Sequence, residues 1–236
     1  MNSPYGLNAE CLACHSQPDN FFCALSAESR KSFDQVRHAS VLPRGAVIVV
    51  QGESPRRIFM LCQGQVKLST ASHDGKSFIL RIANAGEVIG MDAVVTGMPF
   101  AFTAETMQPS RLNFVSREDF LHFLKGHGDA ALRAAQQLSH HCHEAYDVVR
   151  SIGLSHSASG RVAKFLLAAA TDGSVTRGVL HAQLALTHEE ISQLLGTSRE
   201  TITRTLAEFR RKDIAHLKGA TLTIHNKPAL ERLVAA

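Results

Sequence analysis

Tryptophan is absent from the 236 residues, and aromatic side chains make up only 6% of them. No apolar run approaches the roughly 20 residues needed to cross a bilayer, so a membrane-spanning helix is not expected. The opening MNSPYGLNAECLAC lacks a basic start followed by an apolar core. It does not read as a secretory signal, and a cytoplasmic location is expected. A strong excess of one charge is missing too: 25 Lys and Arg stand against 21 Asp and Glu, for a net charge of +4. With a pI near 8.9, that balance is compatible with nucleic acid without requiring it. No catalytic constellation emerges, since Ser155-His156-Ser157 has no G-x-S-x-G around it, and an enzyme is not expected. The five cysteines are odd in number, which in a reducing compartment argues against a disulfide framework.

What is present is concentrated in residues 186–212, LTHEEISQLLGTSRETITRTLAEFRRK. Thr187 and Glu190 have the T-x-x-E spacing of a capping box, so a helix is predicted to begin there. Ile191, Leu194 and Leu195 give it an apolar stripe at helical spacing. Gly196 tolerates the positive φ that ends a helix, and Thr197 or Ser198 caps the next. On that second helix Ile202, Leu206 and Phe209 share one face, with Arg199, Glu200, Thr203 and Arg204 on the other. Such a face suits a DNA major groove, where arginine grips guanine O6 and N7 together and glutamate accepts from cytosine N4. A solvated face of a helix-turn-helix inside another bundle has the same pattern. The sequel LKGATLTI, residues 217–224, weighs against that, because Gly219 would turn a hairpin wing. Arg199, Arg204, Arg210, Arg211, Lys212 and Lys218 also crowd this unit, where phosphates need neutralising.

The length allows two domains, each with its own core. Residues 1–25 form a cysteine-bearing arm, and 26–38 a short helix. Short β-rich runs follow: VIVV (47–50), IFML (58–61), VKLST (66–70), FILRI (78–82), FTAET (102–106) and LNFV (112–115). Asp74-Gly75 marks a hairpin, and the spacing of turns predicts a sandwich or barrel-like roll over 26–125. Ser116 with Asp119 caps a brief helix through Leu124. Within 126–155 a long helix carries Leu138, Cys142, Ala145, Val149 and Ile152 at alternating four- and three-residue steps. That seam predicts a dimer helix, with packing against its own domain as the alternative. Residues 155–159 read as a polar hinge before a DNA-binding domain over 156–236. The expected fold class is α+β: a jelly-roll-like β-roll, a long dimerisation helix and a winged helix-turn-helix.

This order resembles the Crp/Fnr family of bacterial transcription regulators. GTSRETITRTL at 196–206 is similar to the family's recognition helix, and IFMLCQGQVKLST with DGKSFILRIANAGEVIG to its β-roll. The resemblance implies a homodimer on a palindromic site in double-stranded DNA, in contact with RNA polymerase. Arg199, Glu200 and Arg204 match positions of the cyclic-AMP-receptor branch. Glu200, Thr203 and Arg204 match the Fnr branch, which has serine where Thr203 stands. Both imply a half-site with a G·A core, Arg204 on guanine and Glu200 on the opposing cytosine. The cap residues Thr187 and Ser198 complete the candidate contacts. Cyclic-nucleotide-binding members also carry Gly-Glu-Leu and then Arg-Ser or Arg-Thr, which supply the cyclic phosphate with a counter-charge and a donor. Here those stretches are Gly90-Met91-Asp92 and, at 98–103, Met-Pro-Phe-Ala-Phe-Thr, without arginine. A buried anion lacking its counter-charge costs several kcal/mol, so cyclic AMP is not expected.

Fnr-type oxygen sensors hold a [4Fe–4S] cluster on N-terminal cysteines and one from the roll, soft thiolates being the natural ligands. By that resemblance Cys11, Cys14 and Cys23 are candidate ligands. Eight residues separate Cys14 from Cys23, longer than the usual Fnr spacing, and Asn113 stands where the family has its remote cysteine. Cys62, on an earlier strand, is the fourth candidate from the residues themselves. Zinc or a thiol switch would use the same side chains, and Phe21, Phe22 and Cys23 could simply pack the arm onto the roll. CLACH also satisfies the c-type haem signature, but that attachment happens outside the cytoplasm. His140 and His143 could share an ion beside Glu144, although exposed helix histidines are the plainer reading, and Cys142 reads as packing. The expectation is therefore a regulator answering a redox, oxygen or small-molecule signal. The alternative is a redox or ligand-binding module whose winged helix contacts protein; steep weakening by salt would mark DNA binding.

Overall fold

The computed structural model describes residues 21–154, 157–171, 173–176 and 178–235. The chain divides into two compact units, the first ending at His143 and the second starting at Glu144.

In the first unit α1 (Ala27–Val36) starts at Ser26, whose Oγ accepts from Ser29 N at 3.2 Å. Eight strands follow: β1 (His38–Leu42), β2 (Val47–Val49), β3 (Arg57–Gln63), β4 (Gln65–Ala71), β5 (Ser77–Asn84), β6 (Val88–Ile89), β7 (Thr103–Thr106) and β8 (Ser110–Ser116). They form two antiparallel sheets, β1-β8-β3-β6 and β2-β7-β4-β5. Asp74-Gly75 turns β4 into β5, with Gly75 at φ +81°. Val66 and Leu68 of β4, Ala104 of β7 and Leu112 of β8 meet between the sheets. The alternation of β3 sends Ile58 and Met60 the other way, into a second cluster with Phe22, Phe33, Phe120 and Phe123. Phe21 and Phe22 thus belong to the core, and the Phe22 ring stacks on Phe33 with centroids 3.8 Å apart. Strands β1 and β6, and α2 (Met91–Thr96) between β6 and β7, lie outside the runs read in the sequence, β6 and α2 being only two and six residues long.

Helix α3 (Arg117–Gly126) begins at the expected Ser116, which accepts from Asp119 N. The long helix α4 (Gly128–Leu154) then packs Ala130, Ala134 and Leu138 against the core of the first unit. Three polar side chains tie this inner face down. Asp129 accepts from Ser26 N at 2.9 Å and Ser29 Oγ at 2.7 Å, and these donors hold its carboxyl down at about 2. Gln137 Nε2 donates to Val88 O at 2.8 Å, and His141 Nε2 lies 3.5 Å from Glu87 Oε2. The predicted seam is therefore corrected at Leu138, which faces inward; Ile152's side chain lies outside the described residues. The exposed outer stripe is Leu132 (61% exposed), Ala135, Ser139, Cys142, Tyr146 (62%) and Val149 (69%). Its alternating steps of three and four residues keep it on one helix face.

The second unit contains α5 (Ala158–Ala169), β9 (Ser174–Thr176), β10 (Val179–Gln183), α6 (His188–Leu195), α7 (Arg199–Arg211), β11 (Ala215–Lys218), β12 (Thr221–Ile224) and α8 (Lys227–Ala235). Ser157 caps α5 by accepting from Gly160 N, so 157–159 start a helix and do not form the expected hinge; residues 155 and 156 lie outside the described residues. The predicted hairpin turns at Gly219 (φ +59°), and β12 also pairs with β10 in a sheet ordered β11-β12-β10-β9. Val162, Leu166, Ile191, Ile202, Phe209, Leu222 and Leu230 close a separate core. No helix among the described residues is long and apolar enough to cross a membrane.

Candidate nucleic-acid interface and sensor region

The capping box at the start of α6 is complete. Glu190 N donates to Thr187 Oγ1 at 3.1 Å, and Thr187 N and Oγ1 donate back to Glu190 Oε2 at 2.8 and 2.9 Å. Gly196 ends α6 in the left-handed region at φ 58°. Of the two candidate caps for α7 it is Ser198 that serves, accepting from Thr201 N at 3.1 Å. With both caps formed, Ile202, Thr205, Leu206 and Phe209 turn into the core of the second unit. Arg199, Glu200, Thr203 and Arg204 are exposed.

The six candidate DNA contacts fall into two groups. Arg199, Glu200 and Arg204 have solvent-facing heads that make no side-chain hydrogen bond among the described residues, so their charges are available to an incoming partner. Thr187 and Ser198 spend their hydroxyls on the caps. Thr203 is also engaged: its Oγ1 donates to Arg199 O at 3.0 Å and lies 3.0 Å from His188 Nδ1. His188 was not singled out in the sequence, since a histidine in the first turn of α6 carries no signal for a residue 15 positions on. Further along α7, Arg204, Ala207, Glu208, Arg210 and Arg211 line a shallow groove. Glu208 is bonded by Lys212 Nζ at 2.6 Å, which pulls its carboxyl below the ordinary range.

In the first unit the stretch expected to replace a nucleotide's phosphate site is filled from within. Phe100 and Phe102 are 4% and 7% exposed and pack in the cluster between the sheets. Gly90 sits at φ +85°, and a Cβ there would come within 2.7 Å of the Phe100 ring. Met91, in place of the glutamate, is buried, and the neighbouring Asp92 is exposed on α2. A cyclic nucleotide's phosphate would find rings here and no arginine, so these residues do not fit it.

Of the four candidate thiols, Cys11 and Cys14 lie outside the described residues. Cys23 and Cys62 are half-buried. Cys62, on β3, donates to Met60 O at 3.7 Å and accepts from Asn113 Nδ2 at 3.2 Å. It therefore touches the residue that stands where the family has its remote cysteine, a neighbourhood set by the pairing of β3 with β8. Gly86 connects the two regions, since Phe21 N donates to Gly86 O and Gly86 N to Leu61 O. Beside it Glu87 accepts from Asn84 N at 2.7 Å and pairs with Arg81. Burial pushes the Glu87 carboxyl up, but His141, Arg81 and the Asn84 N–H outweigh it and hold it at about 2. Among the described residues no three His, Cys, Asp or Glu side chains come together as a metal site. His140 and His143, the candidate pair, are both exposed on α4, while His141 between them turns inward toward Glu87.

Two family models match the chain: a cyclic nucleotide-binding domain over residues 40–127 and a Crp-like helix-turn-helix domain over 160–233. A CRP-like cAMP-activated global transcriptional regulator of Mycobacterium tuberculosis is 27% identical, over 80% of this chain and 85% of its own. The global nitrogen regulator of a Synechocystis species is 28% identical over the same shares. Among solved structures, FixK2 of Bradyrhizobium japonicum superposes with a TM-score of 0.73 at 22% identity, covering 85% of this chain and 98% of that one. The c-di-GMP-responsive global regulator CLP of Xanthomonas campestris reaches 0.75 at 19% identity, covering 85% and 99%. Three of these four proteins are named as regulators. A two-sheet roll, a long helix and a winged helix-turn-helix, matched in this order, make the chain a member of the Crp/Fnr family of transcription regulators.

Proposed function

We propose that the protein is a homodimer that reads a two-fold-related duplex site with α7 and answers a thiol-borne redox or oxygen signal, with cyclic AMP not its effector. The observation carrying the DNA reading is the exposed set Arg199, Glu200 and Arg204, opposite a fully buried apolar back. Arg204 would grip guanine, and Glu200 would accept from the cytosine opposite, in a half-site with a G·A core. Thr187, Ser198 and Thr203 approach the same duplex, the two caps through a helix N-terminus, where phosphates are favoured. The exposed stripe Leu132, Ala135, Cys142, Tyr146 and Val149 of α4 supports the dimer, because an apolar heptad seam is stable only when covered. Half-sites about one DNA turn apart, roughly 34 Å, would follow from the two-fold axis. RNA polymerase is the further partner of an activator of this type.

Cys11, Cys14, Cys23 and Cys62 would hold a [4Fe–4S] cluster, which would supply sensitivity to oxidants. The position of Cys62 against Asn113 supports that set. The polypeptide's own part is the route from thiols to α4. Phe21, two residues before Cys23, is bonded to Gly86, and Leu61, next to Cys62, is bonded to Gly86 and Glu87. Glu87 and Val88 are in turn held by His141 and Gln137 of α4. A change at either thiol would therefore shift α4, and a signal acts only if it favours one dimer arrangement.

Fluorescence anisotropy of the anaerobically purified protein on selected duplexes tests the DNA reading. Affinity should fall steeply between low and moderate salt. Arg204→Ala should cost ten- to hundred-fold, the order of one bidentate base contact. Unchanged affinity in Arg204→Ala for every duplex would remove the groove-reading role of α7. Iron content and the visible spectrum of the same preparation test the sensor: no iron and no visible band would leave thiol chemistry or a small ligand.

A further inference from the structure

We propose that Glu208 is a built-in competitor of the DNA backbone, holding Lys212 and offsetting the neighbouring arginines so that α7 grips phosphates less tightly than its cations alone would. This rests on α7 being the groove-facing helix. Glu200 and Glu208 are the two acids of that helix. Glu200 stands among the candidate base contacts, whereas Glu208, further along, has no part in them. It lines the shallow groove with Arg204, Ala207, Arg210 and Arg211, and Lys212 Nζ donates to its Oε1 at 2.6 Å. Residues three and four apart on a helix are neighbours, which sets Arg204, Arg211 and Lys212 around one carboxylate. The bond and charge of Lys212, then the charges of Arg211 and Arg204, hold that carboxyl below its ordinary range, so it is ionised at neutral pH.

These three cations are the ones that a phosphate passing Arg204 would meet. The pair with Lys212 is open to solvent, with 43% of the Glu208 side chain and 56% of the Lys212 side chain exposed. Exposed pairs of this kind add little to stability, so the carboxylate acts chiefly on what approaches it. A phosphate bonded to Arg204 or Arg211 would lie within the reach of its charge, about 8–10 Å at moderate salt, and would be repelled. Lys212 has to leave Glu208 before it can neutralise a phosphate of its own. Both effects act on backbone charge and carry no sequence information, so they weaken binding to every duplex alike. Glu208 is accordingly a positioning residue for Lys212, and base reading stays with Arg199, Glu200 and Arg204.

The test uses the full-length protein, one duplex enriched from a random pool and one scrambled duplex, each titrated at several salt concentrations. Glu208→Gln should bind both duplexes about ten-fold more tightly at roughly 0.1 M salt, with the gain shrinking as salt rises. Its plot of log affinity against log salt should steepen by about one for each half-site, the mark of one more phosphate contact. Glu208→Asp keeps the charge and should stay near wild type. Adding Lys212→Gln to Glu208→Gln should return both affinity and slope toward wild type, because no lysine is then released. If Glu208→Gln leaves affinity and slope unchanged, weakens binding, or tightens the enriched duplex alone, while Arg204→Ala still weakens binding, the inference fails and the groove-reading role of α7 stands. If wild type binds neither duplex at any salt, both fail together.

Discussion

The helix pair of the second unit and the roll of the first carry their chemistry in opposite places. In α6–α7 the buried side is generic, Ile191, Ile202, Leu206 and Phe209, and everything specific is on the surface. In the roll the specific departures are interior: Phe100 and Phe102 fill the place of a phosphate partner, and Cys62 sits against the buried Asn113. The comparison teaches that one scaffold keeps its output face open to a partner while its input face can be rebuilt by substitution inside the core. It accords with the relatives, whose names cite cAMP, nitrogen and c-di-GMP on one architecture.

The contrast can be broken first at Phe100. Phe100→Ala should lower the unfolding free energy by about 3–5 kcal/mol, the usual cost of emptying a core aromatic site, read by urea denaturation of the first unit. A change well under 1 kcal/mol would mean that the ring does not fill the roll. Next is Glu87, whose carboxyl is depressed from 4.5 to about 2. Its stabilising effect is complete above pH 4.5 and is lost as pH falls from there through about 2. It amounts to about 3 kcal/mol, one pKa unit being worth about 1.4 kcal/mol. Glu87→Gln should cost that order of stability at pH 7 and far less near pH 2, so its acid-unfolding curve should flatten; parallel curves would refute the clasp. On the helix-pair side the expected effects are smaller. Thr187→Ala removes the cap of α6 and should cost about 1 kcal/mol, measurable in the thermal transition of the second unit. The smallest is Asp213, a non-glycine residue at φ 52° just past α7. Asp213→Gly relieves that backbone and should raise stability by roughly 0.5 kcal/mol with DNA affinity unchanged; a lower melting temperature would show a role for its carboxylate.

Most of the helix pair was legible in the sequence because its rules are local. A capping box spans four residues, and an amphipathic stripe repeats within two turns. Thr187, Glu190, Gly196 and Ile202 therefore stand where those rules put them. The roll's strands were readable from their β-rich runs, yet the two-residue β6 was too short to show a period. Leu138 was misread as seam because its spacing from Cys142 suits either helix face, and the choice between them belongs to what lies beneath α4.

By itself the chain determined its elements, their order and the exposed charges of α7, since backbone caps and side-chain periodicity depend only on near neighbours. Tertiary structure decided which thiol meets Asn113, which ring closes the roll, which glutamate clasps α4 and which hydroxyl His188 occupies. Each of those contacts joins residues distant in the chain, from 15 positions apart for His188 and Thr203 to 54 for Glu87 and His141. Strand pairing and helix crossing bring such residues together, and no pattern within a single segment encodes them.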